Sequence, residues 1–202
     1  MRKACGHDSP RPIKESAGAI AVPATKIVNT AIVRKQERYP SCSKMGQVTP
    51  LFKKNDETDK RIYRPVTVLY CLNTIFERLL SNQLQEFYRE LLSDYMSAYR
   101  RHHIRETSLL KLTEDWKELV AVVSMELSKA FDTIPHALLL DKLLASGLSG
   151  SACALFEDYL RGGMQRVKVG DAYSSWQAVR RGVSQGTVLG PMFFNIFLSD
   201  RF

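Results

Sequence analysis

Two carboxylates, Glu126 and Asp132, lie in a short stretch, residues 125–136, that could do chemistry. The stretch follows an apolar run at residues 119–123, which is rich in β-branched side chains and too short for an ordinary helix, so it predicts a buried strand. An acidic side chain at the end of such a strand stands where open α/β sheets place ligands and catalytic groups. Taken alone, the stretch favours a simpler interpretation, in which Glu126 is a solvated carboxylate and Asp132 caps a helix.

A second stretch, residues 180–198, begins with two arginines. A loop with three glycines, called the glycine loop, follows at residues 182–190 and leads into a strongly apolar helix that is predicted to begin near Pro191. Glycines let backbone amides approach a ligand closely, and the start of a helix favours a phosphate. By itself this loop is weak evidence of function. Its place in the chain after residues 125–136 carries more information.

The composition predicts a globular protein with an anionic partner. The 202 residues are 45% hydrophobic and 25% charged, and 29 basic against 21 acidic side chains give a formal net charge of +8. That balance favours nucleic acid first and an anionic membrane surface second. The basic residues are dispersed and not set along one amphipathic helix, which disfavours the membrane. Without a membrane-spanning run or a signal peptide in the sequence, we expect an intracellular protein, nuclear or cytoplasmic.

Neither cysteines nor histidines indicate a zinc site. The four cysteines are widely scattered: Cys5, Cys42, Cys71 and Cys153. Because no CxxC pair or matching histidine spacing accompanies them, a zinc site or a disulfide framework is not expected. His102 and His103 follow Tyr99 in a basic loop, which is usually a solvated turn but on a basic protein is also a candidate phosphate contact.

The elements that must position these stretches begin with a helix and a hairpin. Residues 13–35 predict a helix that Pro23 bends or splits. Residues 47–52 and 62–69 predict two extended segments, joined by a polar turn at residues 53–61. The result is a hairpin-like unit that carries basic side chains.

Two helices should follow the hairpin. Residues 72–92 place apolar side chains at helical spacing on one face, with Glu77, Arg78 and Gln83 opposite. The predicted buried face consists of Leu72, Ile75, Phe76, Leu79, Leu80 and Leu84. The second helix is expected at about residues 106–117, and its predicted buried side consists of Leu109, Leu110, Leu112 and Trp116.

Two more helices are predicted after residues 125–136. Thr133 or Asp132 can cap the first, which has Pro135 in its first turn and Gly147 at its end. The second opens at Ser149 or Ser151, runs through Leu160 and is closed by two glycines.

A second hairpin precedes the glycine loop. Residues 165–169 alternate, Gly170 turns the chain with Asp171, and residues 172–179 return as a partner strand. Arg166 and Lys168 share one face of the first strand, opposite Val167 and Val169, and the commoner interpretation makes them its solvent side. The order of elements predicts a mixed α/β (α+β) fold, with helices packed on a small sheet.

In combination, three separate motifs resemble the reverse transcriptase domain of non-LTR (LINE-type) retrotransposons. The first is Leu51-Phe52-Lys53-Lys54 before Tyr63-Arg64-Pro65-Val66. The second is Leu127-Ser128-Lys129-Ala130-Phe131-Asp132 before Pro135-His136. The third is Gly182-Val183-Ser184-Gln185-Gly186 with Leu189-Gly190-Pro191 and Phe194-Asn195-Ile196-Phe197. Their order and spacing are highly specific, and the resemblance runs from roughly Asp8 to the last residue.

The resemblance implies the fingers and a partial palm of a right-hand polymerase. It predicts an N-terminal extension at residues 1–45, a fingers-like region at 46–118 and a partial palm at 119–202. The implied reaction is nucleotidyl transfer from deoxynucleoside triphosphates to a DNA primer on an RNA template. Two Mg²⁺ ions orient the primer hydroxyl and stabilise the charge that develops at the α-phosphate. No membrane partner is implied, and the oligomeric state is left open.

Roles for individual residues follow from the same resemblance. Glu126 stands at the position of the first catalytic, metal-binding carboxylate. The backbone at residues 129–131, with Ala130, would face the incoming triphosphate, and Phe131 would exclude a ribose 2′-hydroxyl.

Nucleotide and template contacts are implied elsewhere in the chain. Lys53 or Lys54, together with Arg64, matches the fingers residues that grip the triphosphate, where Arg makes a bidentate contact and Lys acts as a point charge. Gln185 and Gly186 match the loop that lies against the template and the nascent base pair.

The sequence departs from the family at its catalytic carboxylates. The family has Asp where this chain has Glu126, whose extra methylene shifts the carboxylate by about 1 Å, a misplacement that can lower a rate about a hundredfold. The family's Tyr-Ala-Asp-Asp hairpin would follow Phe202, and no Asp-Asp pair occurs in the sequence. We therefore expect this chain alone to be inactive. The alternative is a non-catalytic, nucleic-acid-binding remnant of a retrotransposon.

Overall fold

The structure, a computed structural model, describes residues 10–32, 38–53, 56–93, 95–100, 103–115, 121 and 123–199. Eight α-helices and five β-strands in one small mixed sheet make up this part of the chain, which confirms the predicted α+β class. None of the helices in these ranges is long and apolar enough to cross a membrane.

The helices are α1 (Pro10–Glu15), α2 (Ala17–Ile32), α3 (Cys71–Tyr88), α4 (Arg105–Asp115), α5 (Ala130–Thr133), α6 (His136–Ala145), α7 (Gly150–Leu160) and α8 (Leu189–Leu198). Short 3-10 helices occupy Ser41–Lys44 and Lys60–Ile62. The strands are β1 (Met45–Phe52), β2 (Tyr63–Val68), β3 (Met164–Val169), β4 (Ala172–Tyr173) and β5 (Gln177–Ala178).

Strand β1 joins the two halves of the chain. It pairs with β2 in antiparallel register from Gln47↔Val68 to Phe52↔Tyr63, and with β3 in parallel register from Met45↔Met164 to Val48↔Val167. β4 and β5 each pair antiparallel with β3. The sheet therefore connects the predicted fingers-like region to the predicted palm region, whose boundaries remain predictions.

The β1–β2 hairpin confirms the two predicted extended segments. In the turn, the Asp56 side chain accepts hydrogen bonds from Thr58, and the Asp59 side chain accepts one from the Arg61 amide at 2.9 Å. Such local bonds favour a turn over a continued strand. Pro50 of β1 and Pro65 of β2 are partners in the β1–β2 register. Pro50 lies beyond Val48, the last residue of β1 that pairs with β3, so the amide hydrogen that proline lacks is not needed between β1 and β3.

The hydrophobic core lies among α3, α6, α7 and α8. Leu139 and Leu143 of α6 and Leu189, Phe193 and Ile196 of α8 have no solvent exposure. Helix α3 contributes Phe76, Leu80, Leu84 and Tyr88, and α7 contributes Leu155, Phe156 and Leu160. Apolar burial on this scale is the dominant stabilising term of such a fold.

Helix α3 was predicted correctly as a helix, and Phe76, Leu80 and Leu84 of its predicted buried face are buried, but the rest of that face was wrong. Leu72, Ile75 and Leu79 are exposed, and Glu77, predicted on the opposite face, is completely buried. The buried stripe is rotated toward Asn73 and Ser81. The reason is tertiary, since Glu77 and Asn73 find hydrogen-bond partners in segments far along the chain.

Helix α4 has the predicted span, but its predicted buried side was wrong. Leu109 and Leu110 are both 60% exposed, and Leu112 is exposed as well. Trp116 lies outside the described residues. The periodicity of the leucines specifies a helix face, whereas burial requires a partner element, and α4 has none of substance among the described residues.

The buried strand predicted at residues 119–123 was also wrong where the structure describes it. Ala121 and Val123 are not in a strand, and Val123 is 84% exposed. A strand needs a neighbouring strand for its backbone hydrogen bonds, and none of the described strands pairs with these two residues.

Helix α6 begins differently from the prediction. Pro135 occupies the N-cap position, and no side chain caps the helix. Asp132 and Thr133 belong to the short helix α5, where the Thr133 hydroxyl donates back to the Ala130 carbonyl at 3.2 Å. The extended backbone at Ile134 and Pro135, with ψ of 119° and 125°, separates the two helices. At the other end Gly147 follows α6 with φ +91°, as predicted for a C-terminal glycine.

The first helical region is two helices, and the break lies at Ser16 instead of Pro23. Helix α2 continues through Pro23, which lacks the amide hydrogen that a helix interior normally uses. Residues 33–35 of the predicted helix lie outside the described residues. By contrast α7 matches its prediction, because the Ser149 side chain accepts from the Ala152 amide at 3.3 Å as an N-cap.

In the second hairpin the predicted solvent face was reversed. Val167 and Val169 are exposed, whereas Arg166 and Lys168 are half-buried. The Arg166 guanidinium lies 4.2 Å from the ring centre of Tyr173 and 4.7 Å from that of Trp176. These cation–π contacts draw the basic side chains onto the aromatic face, which the alternation of the sequence could not indicate.

Candidate active site

The backbone at residues 129–132 makes a tight turn at the start of α5. Lys129 has a left-handed conformation with φ +51°, and the Asp132 amide donates to the Lys129 carbonyl at 2.9 Å. A positive φ is uncommon for a residue other than glycine and marks a backbone held by its surroundings. Ala130 and Phe131 are half-buried behind this turn.

The glycine loop docks onto this turn through its backbone. The Gly182 amide donates to the Ile134 carbonyl and the Val183 amide donates to the Phe131 carbonyl, each at 2.8 Å. The loop also meets the start of α6, where His136 Nε2 lies 2.8 Å from the Gly182 carbonyl oxygen. Two motifs that are distant in sequence therefore form one backbone unit.

The same loop reaches the fingers-like hairpin. The Thr67 amide of β2 donates to the Gln185 carbonyl at 2.6 Å. Gly186 has φ +95°, and a β-carbon added there would lie 2.7 Å from the Thr67 carbonyl oxygen. Gln185 Nε2 also stands 3.5 Å from a carboxylate oxygen of Asp132. Gln185 and Gly186 thus lie between the β2 strand and the α5 turn.

Of the basic residues predicted to contact a triphosphate, Arg64 lies on β2 beside the glycine loop and Lys53 lies at the end of β1. Arg64 is exposed on β2, two residues before Val66, whose side chain abuts Gly186. Residues two apart on a strand share a face and lie about 7 Å apart, so Arg64 is on the face of β2 that the glycine loop meets. Lys53 is exposed just after β1, and Lys54 lies outside the described residues.

Phe131 is fixed by aromatic neighbours. Its ring stacks on Phe194 of α8, with ring centres 4.4 Å apart and planes 13° apart. Tyr99 approaches its ring edge-on at 6.1 Å. Stacking between the α5 turn and α8 adds a side-chain contact to the backbone unit that the loop forms with the turn.

The comparisons with known proteins agree with this assembly. A family described as Reverse transcriptase (RNA-dependent DNA polymerase) matches residues 52–202. The chain belongs to the reverse transcriptase family. The match covers the second and third motifs completely and the first motif from Phe52 onward.

Several relatives are reverse transcriptases of mobile elements. The probable RNA-directed DNA polymerase from transposon BS of Drosophila melanogaster is 29% identical over 183 residues, which cover 86% of this chain and 20% of that protein. That from transposon X-element is 28% identical over the same shares of the two chains. The Pol polyprotein from the type-1 retrotransposable element R2 of Popillia japonica is 24% identical over 161 residues, 76% of this chain and 22% of that protein.

These relatives confirm the predicted resemblance to the reverse transcriptases of non-LTR retrotransposons. The chain spans about a fifth of the length of the curated relatives described above.

The reverse transcriptase family uses divalent metal ions, so the carboxylates were tested for a fit to a metal. Glu126 is exposed, and it does not stand in a strand. Among the described residues no group of three His, Cys, Asp or Glu side chains could hold a metal ion. A single exposed carboxylate does not supply the oxygen ligands that Mg²⁺ requires, so the described residues do not fit a complete metal site.

Of the two histidines predicted as phosphate contacts, His102 lies outside the described residues and His103 is half-buried. His136, to which no such role was assigned, is the histidine that contacts the glycine loop.

Glu77 contacts the end of the glycine loop, and the sequence analysis did not predict this contact. It lies in the middle of α3 with no solvent exposure, and its carboxylate accepts hydrogen bonds from the Tyr159 hydroxyl and from the amides of Val188 and Leu189. Burial raises the pKa of the Glu77 carboxyl, although its three donors oppose the shift. A signal was present, because Asn73, Glu77 and Ser81 form a polar row at helical spacing beside the apolar residues of α3.

Proposed function

We propose that this chain forms the fingers and part of the palm of an RNA-directed DNA polymerase, which extends a DNA primer on an RNA template. The observation that carries the proposal is the backbone unit of three motifs. Thr67 donates to Gln185 while Val183 donates to Phe131, so β2, the glycine loop and the α5 turn meet at one place. Such preorganisation is what a polymerase needs to align a template base, a nucleotide and a primer end.

In this proposal basic side chains bind the triphosphate of the incoming deoxynucleotide. Arg64, exposed on the face of β2 that meets the loop, makes a bidentate contact with phosphate oxygens. Lys53, which is exposed just after β1, or Lys54 adds a point charge. The net charge of +8 supports an anionic ligand of this class.

Phe131 forms the wall beside the sugar of that nucleotide, and the backbone at residues 129–131, with Ala130, faces its triphosphate. The ring of Phe131 is held on Phe194 and cannot turn away without losing the stack. A fixed ring at this position leaves no room for a 2′-hydroxyl, so the site selects deoxynucleotides over ribonucleotides. Gln185 and Gly186 lie against the template base and its new partner.

Glu126 is proposed as the carboxylate that this part of the chain offers to Mg²⁺. Alone it does not bind the ion in the geometry that catalysis requires, because Mg²⁺ demands six oxygen ligands. Substitution of the family's Asp by Glu also lengthens the side chain by one methylene.

A second function is binding of nucleic acid without catalysis. The observation that favours it is the isolation of Glu126, which is exposed and has no companion ligands in the described ranges. In that case the basic surface binds an RNA–DNA hybrid through its phosphates, and nothing is polymerised.

One experiment distinguishes the two functions. The purified chain is given Mg²⁺, deoxynucleotides and an RNA template annealed to a DNA primer, and both binding and primer extension are measured. Template-dependent extension that is lost in Glu126→Ala would exclude the second function and contradict the expected inactivity of this chain alone. Binding without extension is the expected result, because the described residues do not fit a complete metal site. Absence of binding at low salt would contradict both.

The position of the template is tested separately. A template carrying 4-thiouridine just beyond the primer end is crosslinked to the chain by ultraviolet light, and the modified peptide is identified by mass spectrometry. The proposal expects the crosslink within residues 183–190. Crosslinks confined to α1, α2 or α7 would contradict the assigned roles of Gln185 and Gly186.

A further inference from the structure

Glu77 is buried at the centre of the molecule, and its partners are neutral donors. Oε2 accepts from the Val188 amide at 2.7 Å and from the Leu189 amide at 3.2 Å, and Oε1 accepts from the Tyr159 hydroxyl at 2.7 Å. Burying a carboxylate away from water is costly. A leucine of similar volume would fill the same space without that cost, but it would leave three donors without an acceptor.

The two amides belong to the beginning of α8. Val188 is the N-cap residue of α8 and Leu189 its first residue, and the helix has no side-chain cap of its own. The first amides of a helix have no intrahelical acceptor. Glu77 therefore takes the place of the missing cap from another helix, and its negative charge stands at the positive end of the α8 dipole.

Glu77 and strand β2 form hydrogen bonds to the glycine loop on either side of Gly186. Gln185 is bonded to Thr67 of β2, and three residues later Val188 is bonded to Glu77 of α3. Between them the Thr187 hydroxyl donates to the Ser184 carbonyl and accepts from the Gly190 amide. The hydrogen bonds to Thr67 and to Glu77 thus hold the backbone of Gln185 and Gly186 from both sides.

Tyr159 fixes the carboxylate in turn. Its hydroxyl donates to Glu77, while its ring contacts Tyr39 edge-on at 4.8 Å and lies 6.0 Å from the ring of Phe193. Helix α7, which carries Tyr159, thereby supports the loop through Glu77 although it does not touch Gln185.

We propose that Glu77 is a positioning residue that fixes the backbone of Gln185 and Gly186 against the template base pair, with Tyr159 as its support. The inference rests on the proposed function, since it assumes that this loop contacts the template. Glu77 does not touch the reacting groups. It acts through the hydrogen bonds to Val188 and Leu189.

Two readouts on the full chain test this role. The first is hydrogen exchange of the Val188 and Leu189 amides, which requires no nucleic acid. The second is the yield of the 4-thiouridine crosslink to residues 183–190, divided by the total bound RNA–DNA hybrid. The variants are Glu77→Leu, which removes the acceptors, Glu77→Asp, which shortens the side chain, and Glu77→Gln, which retains one acceptor oxygen.

The matched control is Leu84→Ala. Leu84 lies on the same helix and in the same core, but its side chain has no hydrogen-bond acceptor to offer the amides of Val188 and Leu189. It reports how far a general loss of stability raises exchange.

We expect Glu77→Leu and Glu77→Asp to raise exchange at Val188 and Leu189 about tenfold or more above Leu84→Ala. The normalised crosslink should fall about tenfold, because a shift of about 1 Å in a positioning element has effects of this size or larger. Glu77→Gln should retain most of the crosslink. Unchanged exchange and an unchanged crosslink in the Leu and Asp variants would overturn the proposal.

If Glu77→Leu does not fold, the Glu77→Asp and Tyr159→Phe variants test the proposal in its place. Tyr159→Phe should raise hydrogen exchange at the Val188 amide above the level in Leu84→Ala. A wild-type chain that gives no crosslink within residues 183–190 would contradict the proposed function. The exchange result would then still report whether Glu77 fixes the loop.

Discussion

Gly182 lies directly against the backbone of Asp132. A β-carbon added at Gly182 would sit 2.7 Å from the Asp132 α-carbon and 2.7 Å from its carbonyl oxygen. Gly182 also has φ +83°, a conformation that L side chains rarely adopt. Close approach of two backbones is thus what joins the glycine loop to the α5 turn.

Gly182→Ala should therefore destabilise the protein strongly. The left-handed conformation costs about 1–2 kcal/mol for a residue with a β-carbon. Displacing the Asp132 backbone costs about another 1–3 kcal/mol, as overpacking does elsewhere. We expect the free energy of unfolding, measured by urea denaturation, to fall by about 2–5 kcal/mol.

Two other glycines separate these contributions. Gly147 has φ +91° with nothing within 4 Å of an added β-carbon, so Gly147→Ala should show the conformational cost alone. Gly150 has neither a positive φ nor a near neighbour, so Gly150→Ala should be close to neutral. If Gly182→Ala proves no more destabilising than Gly147→Ala, the backbone contact with Asp132 is not tight.

Glu77→Gln should change how stability depends on pH. Burial raises the pKa of the Glu77 carboxyl above its ordinary value of 4.5. A raised folded pKa means that the folded chain binds the proton more tightly than the unfolded chain, so this contribution is complete below pH 4.5 and is lost as pH rises through the folded pKa.

The Gln variant has no such titration. We therefore expect the difference in free energy of unfolding, Glu77→Gln minus wild type, to shift in favour of the variant as pH rises above 4.5. Each unit by which the pKa is raised contributes about 1.4 kcal/mol to that shift. Urea denaturation at several pH values measures it, and a difference that is independent of pH would contradict the raised pKa.

Phe131 and Phe194 should be energetically coupled, because their rings stack at 4.4 Å. In a double-mutant cycle with Phe131→Leu and Phe194→Leu, we expect a coupling energy of about 1 kcal/mol from thermal or urea unfolding. A second pair, Phe156 and Phe193, meets edge-to-face at 5.4 Å and serves as the reference for an aromatic contact within the core. Additive effects of the two Leu substitutions would show that the stack contributes nothing specific.

Arg64 should contribute to nucleic-acid binding in a salt-dependent way. From the net charge of +8 we expect affinity for an RNA–DNA hybrid to fall steeply with salt. Arg64→Ala should weaken binding and reduce the slope of log K against log salt by about 1. Fluorescence anisotropy over a salt series measures both quantities.

Arg89→Ala provides the control for this prediction. Arg89 is exposed at the C-terminal end of α3, where it pairs with Glu86 and Glu90, and it lies on none of the three motifs. We expect its substitution to leave the salt slope unchanged. Equal effects of the two substitutions would mean that binding is spread evenly over the surface.

Elements whose signals are local can be predicted from the amino-acid sequence. The β1–β2 hairpin, α3, α7 with its Ser149 cap, the β3 hairpin and α8 were all predicted near their observed positions, because alternation, helical spacing and turn residues act within a few residues. The order of three motifs likewise identified the reverse transcriptase family, and the family match confirms it.

The tertiary structure alone decided which groups meet. Glu77 is buried because Tyr159 and Val188, 82 and 111 residues away, supply its donors. The polar row of Asn73, Glu77 and Ser81 marks a side of α3, but it does not identify these partners. Residues 121 and 123 are exposed and outside any strand, because no described strand pairs with them, although the apolar run predicted burial. Whether a residue is buried or paired in a strand depends on which other residues surround it. Neighbours that are distant in the sequence come together only when the chain folds.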